Sequence, residues 1–410
     1  LLASDTLLCL YGVLCNLRFQ DRKMVTSIVN GKIILPDGIC SGVLVMDGGT
    51  IKGVVDNVPP GSEVIDAEGD YVSPGFIDMH THGAGGADFM DGTVEAYLTA
   101  ARTHAMHGTT LLYPTTLTST DEALYDSFET YRKAVAENRD GAAFGGMHLE
   151  GPYFSPLFAG AQDPRWLRCP KREEYMEILE RCPDLARWSF APELDGASEF
   201  AAELMKRGIV ASIGHTNATF GECDAAFKAG ARLMTHFYSC MSTVSRRNAF
   251  RFAGTVEYGY WQDGMDVEII ADGIHVPEDL LRLLLKIKGV GKVSLVTDSM
   301  RAAGMPEGKS ILGGLAGGQE VIVEDGVAKL MDRSAFAGSV ATADRLVSTM
   351  VKTAGCGISD VVRMLTANPA GVMGVLDRKG TIAPGKDADV VIFDEDINVR
   401  RTIINGNIIY

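Results

Sequence analysis

Histidines and carboxylates recur in this sequence at the ends of short apolar runs. Six of the eight histidines stand at, or within a few residues of, such an end. Imidazole and carboxylate groups are the ligands that Zn²⁺ and similar divalent ions take in proteins, and a catalytic site keeps one position open for water. Because such an ion lowers the pKa of water to about 7, the chemistry indicated is metal-assisted hydrolysis. The histidines and carboxylates at these ends are His80, His82, His148, Glu150, Glu193, His215, His236, Asp272, His275 and Asp298.

No single member of this group is decisive. His80 and His82 would share one face of a strand, since they are two residues apart, but a His-x-His pair alone is weak evidence. Asp298 ends the run in "LVTDSM", where a carboxylate could take a proton from water and deliver it to a leaving nitrogen. The alternative for Asp298 is a helix cap. The joint pattern favours a metal-dependent hydrolase.

The elements that must bring these residues together are eight apolar runs separated by stretches of helical periodicity. Continuous apolarity is typical of parallel strands that are covered on both faces. Eight such strands with intervening helices predict a (β/α)8 barrel, whose active site lies where the strands end. The predicted strands are residues 75–80, 109–115, 142–150, 185–193, 209–215, 232–237, 267–273 and 292–298.

Both ends of the chain have a different pattern, with period-two alternation and Asn-Gly or Asp-Gly turns. Each end is too small to form a stable sheet alone, so we predict one discontinuous β-sandwich built from both. The first residues are apolar but lack the basic segment and cleavage motif of a signal peptide, and we interpret them as an extension without function. The predicted division is an extension at 1–23, sandwich at 24–73, barrel at 74–374 and sandwich at 375–410.

Composition limits the partners. With 38 Lys and Arg against 53 Asp and Glu, the chain of 410 residues carries a net charge of -15, which argues against nucleic acid and anionic membranes. An anionic substrate would need a local group of positive charge. The eight cysteines are scattered without a Cys-x-x-Cys pair, which indicates a reducing compartment and hence the cytoplasm.

Nine motifs between Pro74 and Asp394 carry a family resemblance: "PGFIDMHTHG", "HLEGPYFS", "SIGHTNAT", "MTHFYSCMS", "IIADGIHV", "LVTDSM", "FAGSV", "NPA" and "KGTIAPGKDADVVIFD". In this order they resemble the N-acetylglucosamine-6-phosphate deacetylases of the amidohydrolase superfamily. The resemblance covers essentially everything after Met24. It implies hydrolysis of N-acetylglucosamine 6-phosphate to glucosamine 6-phosphate and acetate, in amino-sugar catabolism.

The resemblance also implies residue roles. Glu150, His215 and His236 would bind a divalent ion, Zn²⁺ or Fe²⁺, and His80 with His82 leaves a second ion open. Asp298 would be the catalytic acid and base, and His275 would orient the substrate and polarise its amide carbonyl. The implied substrate contacts are Ala161, Gln162, Ser239, Cys240, Arg247, His275, Ala337 and Gly338.

Three departures from the family pattern concern the substrate. The family's "YNAM" is Tyr-Ser-Cys-Met here, with Ser239 shorter than the usual Asn. Its "KGAHNP" is "FAGAQDP", so Gln162 replaces a histidine and N-acetylgalactosamine 6-phosphate could fit as well. The family arginine that reaches the phosphate across a homodimer could be Arg246, Arg247 or Arg251. We favour Arg247, because a guanidinium can clamp phosphate bidentately.

Two other classes of function remain. One is a cyclic-amide or N-acyl-amino-acid hydrolase of the same superfamily; its binuclear members commonly use a carboxylated lysine, whereas the third strand here ends in Glu150. The other is a barrel retained as a binding protein, whose signature would be lost ligands or a lost acid. Neither loss is seen in this sequence.

Overall fold

The computed structural model describes residues 25–410. Its centre is a barrel of parallel strands that pair in chain order. Strands 8 and 1 approach where the Asp298 amide donates to the His80 carbonyl at 2.9 Å, so the barrel is nearly closed. The predicted (β/α)8 architecture is confirmed. In order, barrel strands 1 to 8 are Phe76–Thr81, Thr109–Thr116, Met147–Glu150, Leu185–Phe190, Val210–Ile213, Leu233–Met234, Asp266–Ile270 and Val293–Val296.

The predicted strand at 142–150 is interrupted. A short strand, Ala143–Phe144, pairs with barrel strand 2, and barrel strand 3 begins only at Met147. Gly146 lies between them with φ 124°, a conformation that glycine adopts without steric cost. A Cβ added at Gly146 would lie 2.7 Å from the Cβ of Ala186. Gly145 and Gly146 therefore let the chain pass close to the start of barrel strand 4.

Helices surround the barrel. Their first turns carry the expected signals: the Thr120 side chain accepts from the Ala123 amide at 3.2 Å, and Thr219 and Glu222 form a capping box. The helices are Val94–Met106, Asp121–Glu137, Arg172–Arg181, Ala197–Lys206, Phe220–Ala229, Thr255–Trp261, Glu278–Lys288, Ala343–Lys352, Ile358–Leu365 and Ala367–Val372, with 3₁₀ turns at Phe89–Asp91, Pro156–Phe158, Pro164–Trp166 and Val290–Lys292.

On the barrel strands, apolar side chains of the outer layer alternate with interior side chains, several of which are polar or charged. On barrel strand 4, Trp188 is fully buried in the outer layer, stacked on Tyr153 with 5.4 Å between ring centroids. Arg187 beside it faces the interior, where it is fully buried and donates to Glu268 on barrel strand 7. Burial opposes ionisation of Glu268, but the positive charges of Arg187 and His80 lower its pKa to about 2. A buried ion pair therefore crosses the barrel.

The two chain ends form one sandwich, so this part of the predicted fold is also confirmed. Val390–Phe393 runs antiparallel to Tyr71–Pro74, and one apolar core contains residues of both sheets. One sheet contains Thr26–Val29, Val43–Asp47, Thr50–Val55 and Glu63–Asp66; the other contains Lys32–Leu35, Gly38–Cys40, Tyr71–Pro74, Val390–Phe393, Val399–Ile404 and Asn407–Ile408.

The predicted domain boundaries at 73/74 and 374/375 stay predictions. The proposed extension at 1–23 lies outside the described residues. Within residues 25–410, no helix has the length and apolarity needed to cross a bilayer.

Three smaller units complete the fold. A three-stranded antiparallel sheet, which we call the flap, follows barrel strand 8 and packs its own apolar cluster beside the barrel mouth. An exposed hairpin follows barrel strand 6. The flap strands are Gly308–Leu312, Gln319–Glu324 and Val327–Leu330; the hairpin strands are Ser245–Arg247 and Phe250–Phe252; a two-residue pairing joins Gly83–Ala84 to Ala87–Asp88.

Gly75 joins the sandwich to barrel strand 1, and we predict that Gly75→Ala destabilises the protein. Its amide donates to the Asp389 carbonyl at 2.9 Å, and a Cβ there would lie 2.2 Å from Thr110 Oγ1. We expect a loss of about 1–3 kcal/mol in the free energy of unfolding, measured by denaturant titration. Gly221→Ala is the matched control, because a Cβ in that helix meets nothing within 4 Å. Equal stability of the two variants would contradict this account of the junction.

Candidate active site

Glu150 lies at the centre of a buried cluster at the carboxyl ends of the barrel strands. It is the last residue of barrel strand 3 and is 2% exposed. Its Oε1 lies 3.2 Å from His215 Nε2 and 3.1 Å from His236 Nε2. The two Nε2 atoms are themselves 3.1 Å apart. Three ligand atoms from three strand ends thus converge on one small volume.

A second group shares Glu150. His82 Nε2 lies 3.3 Å from Glu150 Oε2 and 3.2 Å from Asp298 Oδ1. His80 Nε2 lies 3.3 Å from the same Asp298 oxygen, is fully buried, and makes no hydrogen bond. A buried nitrogen without a partner, aimed at two carboxylates, is what a bound cation would satisfy. The residues present therefore fit a divalent ion, and the ligand atoms of each group lie within 4.8 Å of one another.

The charges of the cluster favour bound positive charge. Burial disfavours protonated His80, but the nearby carboxylates, Asp298 foremost, outweigh this effect and raise its pKa to about 9. Burial likewise opposes protonation of His82, while hydrogen bonds to Asp298 and Glu150 raise its pKa to about 10. The imidazoles in turn hold the pKa of Glu150 well below its usual value, against the effect of burial. Protons or a cation can supply the positive charge.

Backbone conformation helps to aim three of these side chains. His215, His236 and Asp298 follow their strands with φ of 47°, 29° and 45°. Non-glycine residues in this region are strained, and such strain concentrates at functional sites. Hydrogen bonds hold the turns: His215 Nδ1 contacts the Phe158 carbonyl at 3.0 Å, and the His236 amide donates to Glu268 at 2.8 Å.

His275 stands at the edge of the cluster, oriented by Asp272. One Asp272 oxygen accepts from the His275 amide at 2.8 Å, and the other lies 2.8 Å from His275 Nδ1. The imidazole also packs on Phe336, with 4.6 Å between ring centroids. These contacts direct the ring towards the cavity above the cluster.

The cavity has a volume of about 180 Å³. Of the substrate contacts predicted from the sequence, Ala161, Gln162, Ser239, Cys240, His275 and Gly338 line it. Ala337 is fully buried behind the wall, and Arg247 lies on the exposed hairpin. Lining residues that the sequence analysis did not single out are Leu117, Ile270, Leu312, Ala335 and Phe336. Phe336 belongs to the "FAGSV" motif, so the sequence did contain a signal that could have identified it.

Gln162 uses both ends of its amide within the protein. Its Nε2 donates to Glu150 Oε2 at 2.7 Å, and its Oε1 accepts from the Thr118 amide at 2.8 Å. The side chain thus restrains the carboxylate that the two groups share. It also belongs to the wall of a neighbouring cavity of about 230 Å³. The predicted contact of Gln162 with a sugar stays a prediction.

Comparison with known proteins places these motifs in context. The amidohydrolase family model matches residues 71–409. The N-acetylglucosamine-6-phosphate deacetylase of Bacillus subtilis is 36% identical over 380 residues, covering 91% of this chain and 93% of that protein. The N-acetylgalactosamine-6-phosphate deacetylase of Escherichia coli O157:H7 is 30% identical, with coverages of 84% and 89%.

Solved structures show the same similarity. The N-acetylglucosamine-6-phosphate deacetylase from Pasteurella multocida superposes with a TM-score of 0.87 at 30% identity, covering 94% of this chain and 99% of that one. The enzyme of the same name from Thermotoga maritima gives 0.83 at 32% identity, with coverages of 94% and 99%. The similarity therefore extends over both the barrel and the sandwich.

We predict that cation binding expels protons from the cluster. In the metal-free protein the raised pKa values of about 9 for His80 and about 10 for His82 keep both imidazoles protonated near neutral pH. A cation at their Nε2 atoms must displace those protons, so its affinity should rise with pH, by about tenfold per pH unit for each proton displaced. Calorimetric titration with Co²⁺ in buffers of different ionisation enthalpy measures the release. His80→Asn should release fewer protons; an affinity that does not change with pH would contradict the prediction.

Proposed function

This chain belongs to the amidohydrolase family, within the group of N-acetylglucosamine-6-phosphate deacetylases, and we propose that it hydrolyses the acetamide of N-acetylglucosamine 6-phosphate. The products are acetate and glucosamine 6-phosphate, and the setting is amino-sugar catabolism. The observation that carries the proposal is the pair of buried ligand groups that share Glu150 beneath a cavity also lined by Asp298 and His275.

The proposed metal ligands divide as the two groups do. Glu150, His215 and His236 would hold one ion, and His80 with His82 would hold a second beside the same carboxylate. Imidazole and carboxylate ligands suit Zn²⁺ and Fe²⁺ alike. When bound, such a cation supplies Lewis acidity to the amide carbonyl and acidity to water.

Asp298 is the proposed acid and base. Asp298 is 7% exposed and borders the cavity. His80 and His82 hold its pKa below the usual value, against the effect of burial, so it is ionised and ready to accept a proton at neutral pH. It takes that proton from the water that attacks the acetyl carbon. As the C–N bond breaks, Asp298 passes the proton to the leaving nitrogen.

His275 is the proposed group that orients the substrate and polarises its carbonyl. Asp272 fixes the imidazole, and Phe336 packs on one side of the ring. A donor that is already oriented stabilises the developing oxyanion without reorganisation during the reaction. We assign contacts with the sugar to Ala161, Gln162, Ser239, Cys240 and Gly338, which line the cavity; Ala337, predicted from the resemblance, lies behind them.

Among the described residues of one chain, no arginine lines the cavity. The cavity of a single chain therefore has no guanidinium to bind the phosphate. The hairpin that carries Arg247 points outward: Phe250 is 72% exposed, and the Arg247 guanidinium lies 5.6 Å from the centroid of Phe252. A homodimer in which this hairpin reaches the neighbouring cavity would supply the clamp. We therefore propose that Arg247 of the partner subunit binds the phosphate.

N-acetylgalactosamine 6-phosphate is the second candidate substrate. Two observations support this substrate: Gln162 replaces the family histidine, and the chain is similar to an N-acetylgalactosamine-6-phosphate deacetylase. The cyclic-amide alternative has less support, because barrel strand 3 ends in Glu150. We place the reaction in the cytoplasm, which suits the six described cysteines, all of them unpaired.

Acetate release tests the proposal. The substrates are N-acetylglucosamine and N-acetylgalactosamine, each with and without the 6-phosphate, and the protein carries a counted amount of metal. We expect rapid turnover of N-acetylglucosamine 6-phosphate and little of the unphosphorylated sugars, because the phosphate contributes binding energy.

Asp298→Asn is the matched variant, isosteric but unable to accept the proton. Its turnover should fall by orders of magnitude while its metal content stays near that of the wild type. Near-normal turnover of this variant would refute the role of Asp298. If the metal-loaded wild type leaves all four sugars intact, the deacetylase proposal is wrong.

A further inference from the structure

Glu268 contacts both ligand groups without belonging to either. It lies on barrel strand 7, inside the barrel, and is fully buried. Its Oε1 lies 2.7 Å from His80 Nδ1 and accepts from the His236 amide at 2.8 Å. Its Oε2 accepts from Arg187. One carboxylate thus links a side chain of one group to the backbone of the other.

The contact with His80 decides which imidazole nitrogen keeps its proton when the ring is neutral. An ionised carboxylate can only accept, so the hydrogen bond places a proton on Nδ1. In the neutral ring the lone pair then sits on Nε2. That Nε2 atom makes no hydrogen bond and lies 3.5 Å from Glu150 Oε1 and 3.3 Å from Asp298 Oδ1. The lone pair is directed to where a cation would lie.

Arg187 keeps Glu268 from rotating. Its guanidinium also donates to the Met79 carbonyl at 3.2 Å, to Ser212 Oγ at 3.0 Å and to Thr235 Oγ1 at 3.1 Å. These bonds attach it to barrel strands 1 and 5 and to the residue after barrel strand 6. The carboxylate is therefore fixed from below by a charged group that three further hydrogen bonds hold in place.

We propose that Glu268, held by Arg187, is a positioning residue that sets the cation affinity of the His80 side of the site. It acts by holding His80 as an Nε2 ligand, and a ligand imidazole whose other nitrogen donates to a carboxylate is both oriented and more basic. The inference rests on the proposed function only in taking the His80 group to bind a cation. Neither Glu268 nor Arg187 touches the substrate cavity.

Cation affinity in a double-mutant cycle tests this role. Metal-free wild type, Glu268→Gln, His80→Asn and the double variant are titrated with Co²⁺ against a chromophoric chelator. We expect Glu268→Gln to weaken binding by about 10- to 100-fold when His80 is present. In the His80→Asn background the same change should cost less than about threefold, because its effect passes through His80.

Two control variants separate positioning from general damage. Asp266→Asn, on the same strand but paired with Lys292 at the far end, should leave affinity unchanged. If Glu268→Gln does not fold, Arg187→Met/Glu268→Gln removes the ion pair without leaving a lone buried charge, and the same cycle is run with it. An equal loss with and without His80, or no loss at all, would overturn the proposal. The titration needs no substrate, so a wild type that binds Co²⁺ but releases no acetate refutes only the proposed function.

Discussion

The burial of Glu150 among four imidazoles is the constraint on which the rest of the structure depends. An isolated charge in the interior costs several kcal/mol, so a buried carboxylate persists only where positive charge meets it. Here both carboxylate oxygens of Glu150 lie close to imidazole nitrogens, and Gln162 also donates a hydrogen bond to Oε2. A barrel satisfies this requirement because all its strands end on one face, which lets residues far apart in the chain supply the donors.

The layers below the cluster serve the same requirement. A parallel barrel usually fills its interior with branched apolar side chains, but this one places the Arg187–Glu268 ion pair directly beneath the ligands. Glu268 then holds the ring of His80 and the backbone of His236, which has positive φ. The sandwich fixes the start of barrel strand 1 through Gly75. Strain at the strand ends is thus balanced by hydrogen bonds underneath.

The sequence predicted the barrel, the sandwich and the cluster because each depends on a local pattern: apolar runs, alternating strands, and polar residues where runs end. It did not predict the interior ion pair. Arg187 and Glu268 sit within apolar runs 81 residues apart, and only the closed barrel brings them together. The flap was missed because its strands lie within residues 74–374, all of which had been assigned to the barrel. For Gln162, the motif predicted a contact with the sugar. In the structure its amide is hydrogen-bonded to Glu150 and to the Thr118 amide, which only the fold brings close to it.

Anomalous diffraction from crystals soaked in Zn²⁺ tests the central claim most directly, because it locates the ion without reference to activity. The account predicts a peak at the metal edge about 2.0–2.2 Å from ligand atoms of Glu150, His215 and His236. A second peak, if present, should lie beside His80 and His82. Strong peaks elsewhere in the protein, with none in contact with Glu150, would contradict the claim that this buried cluster is a metal site.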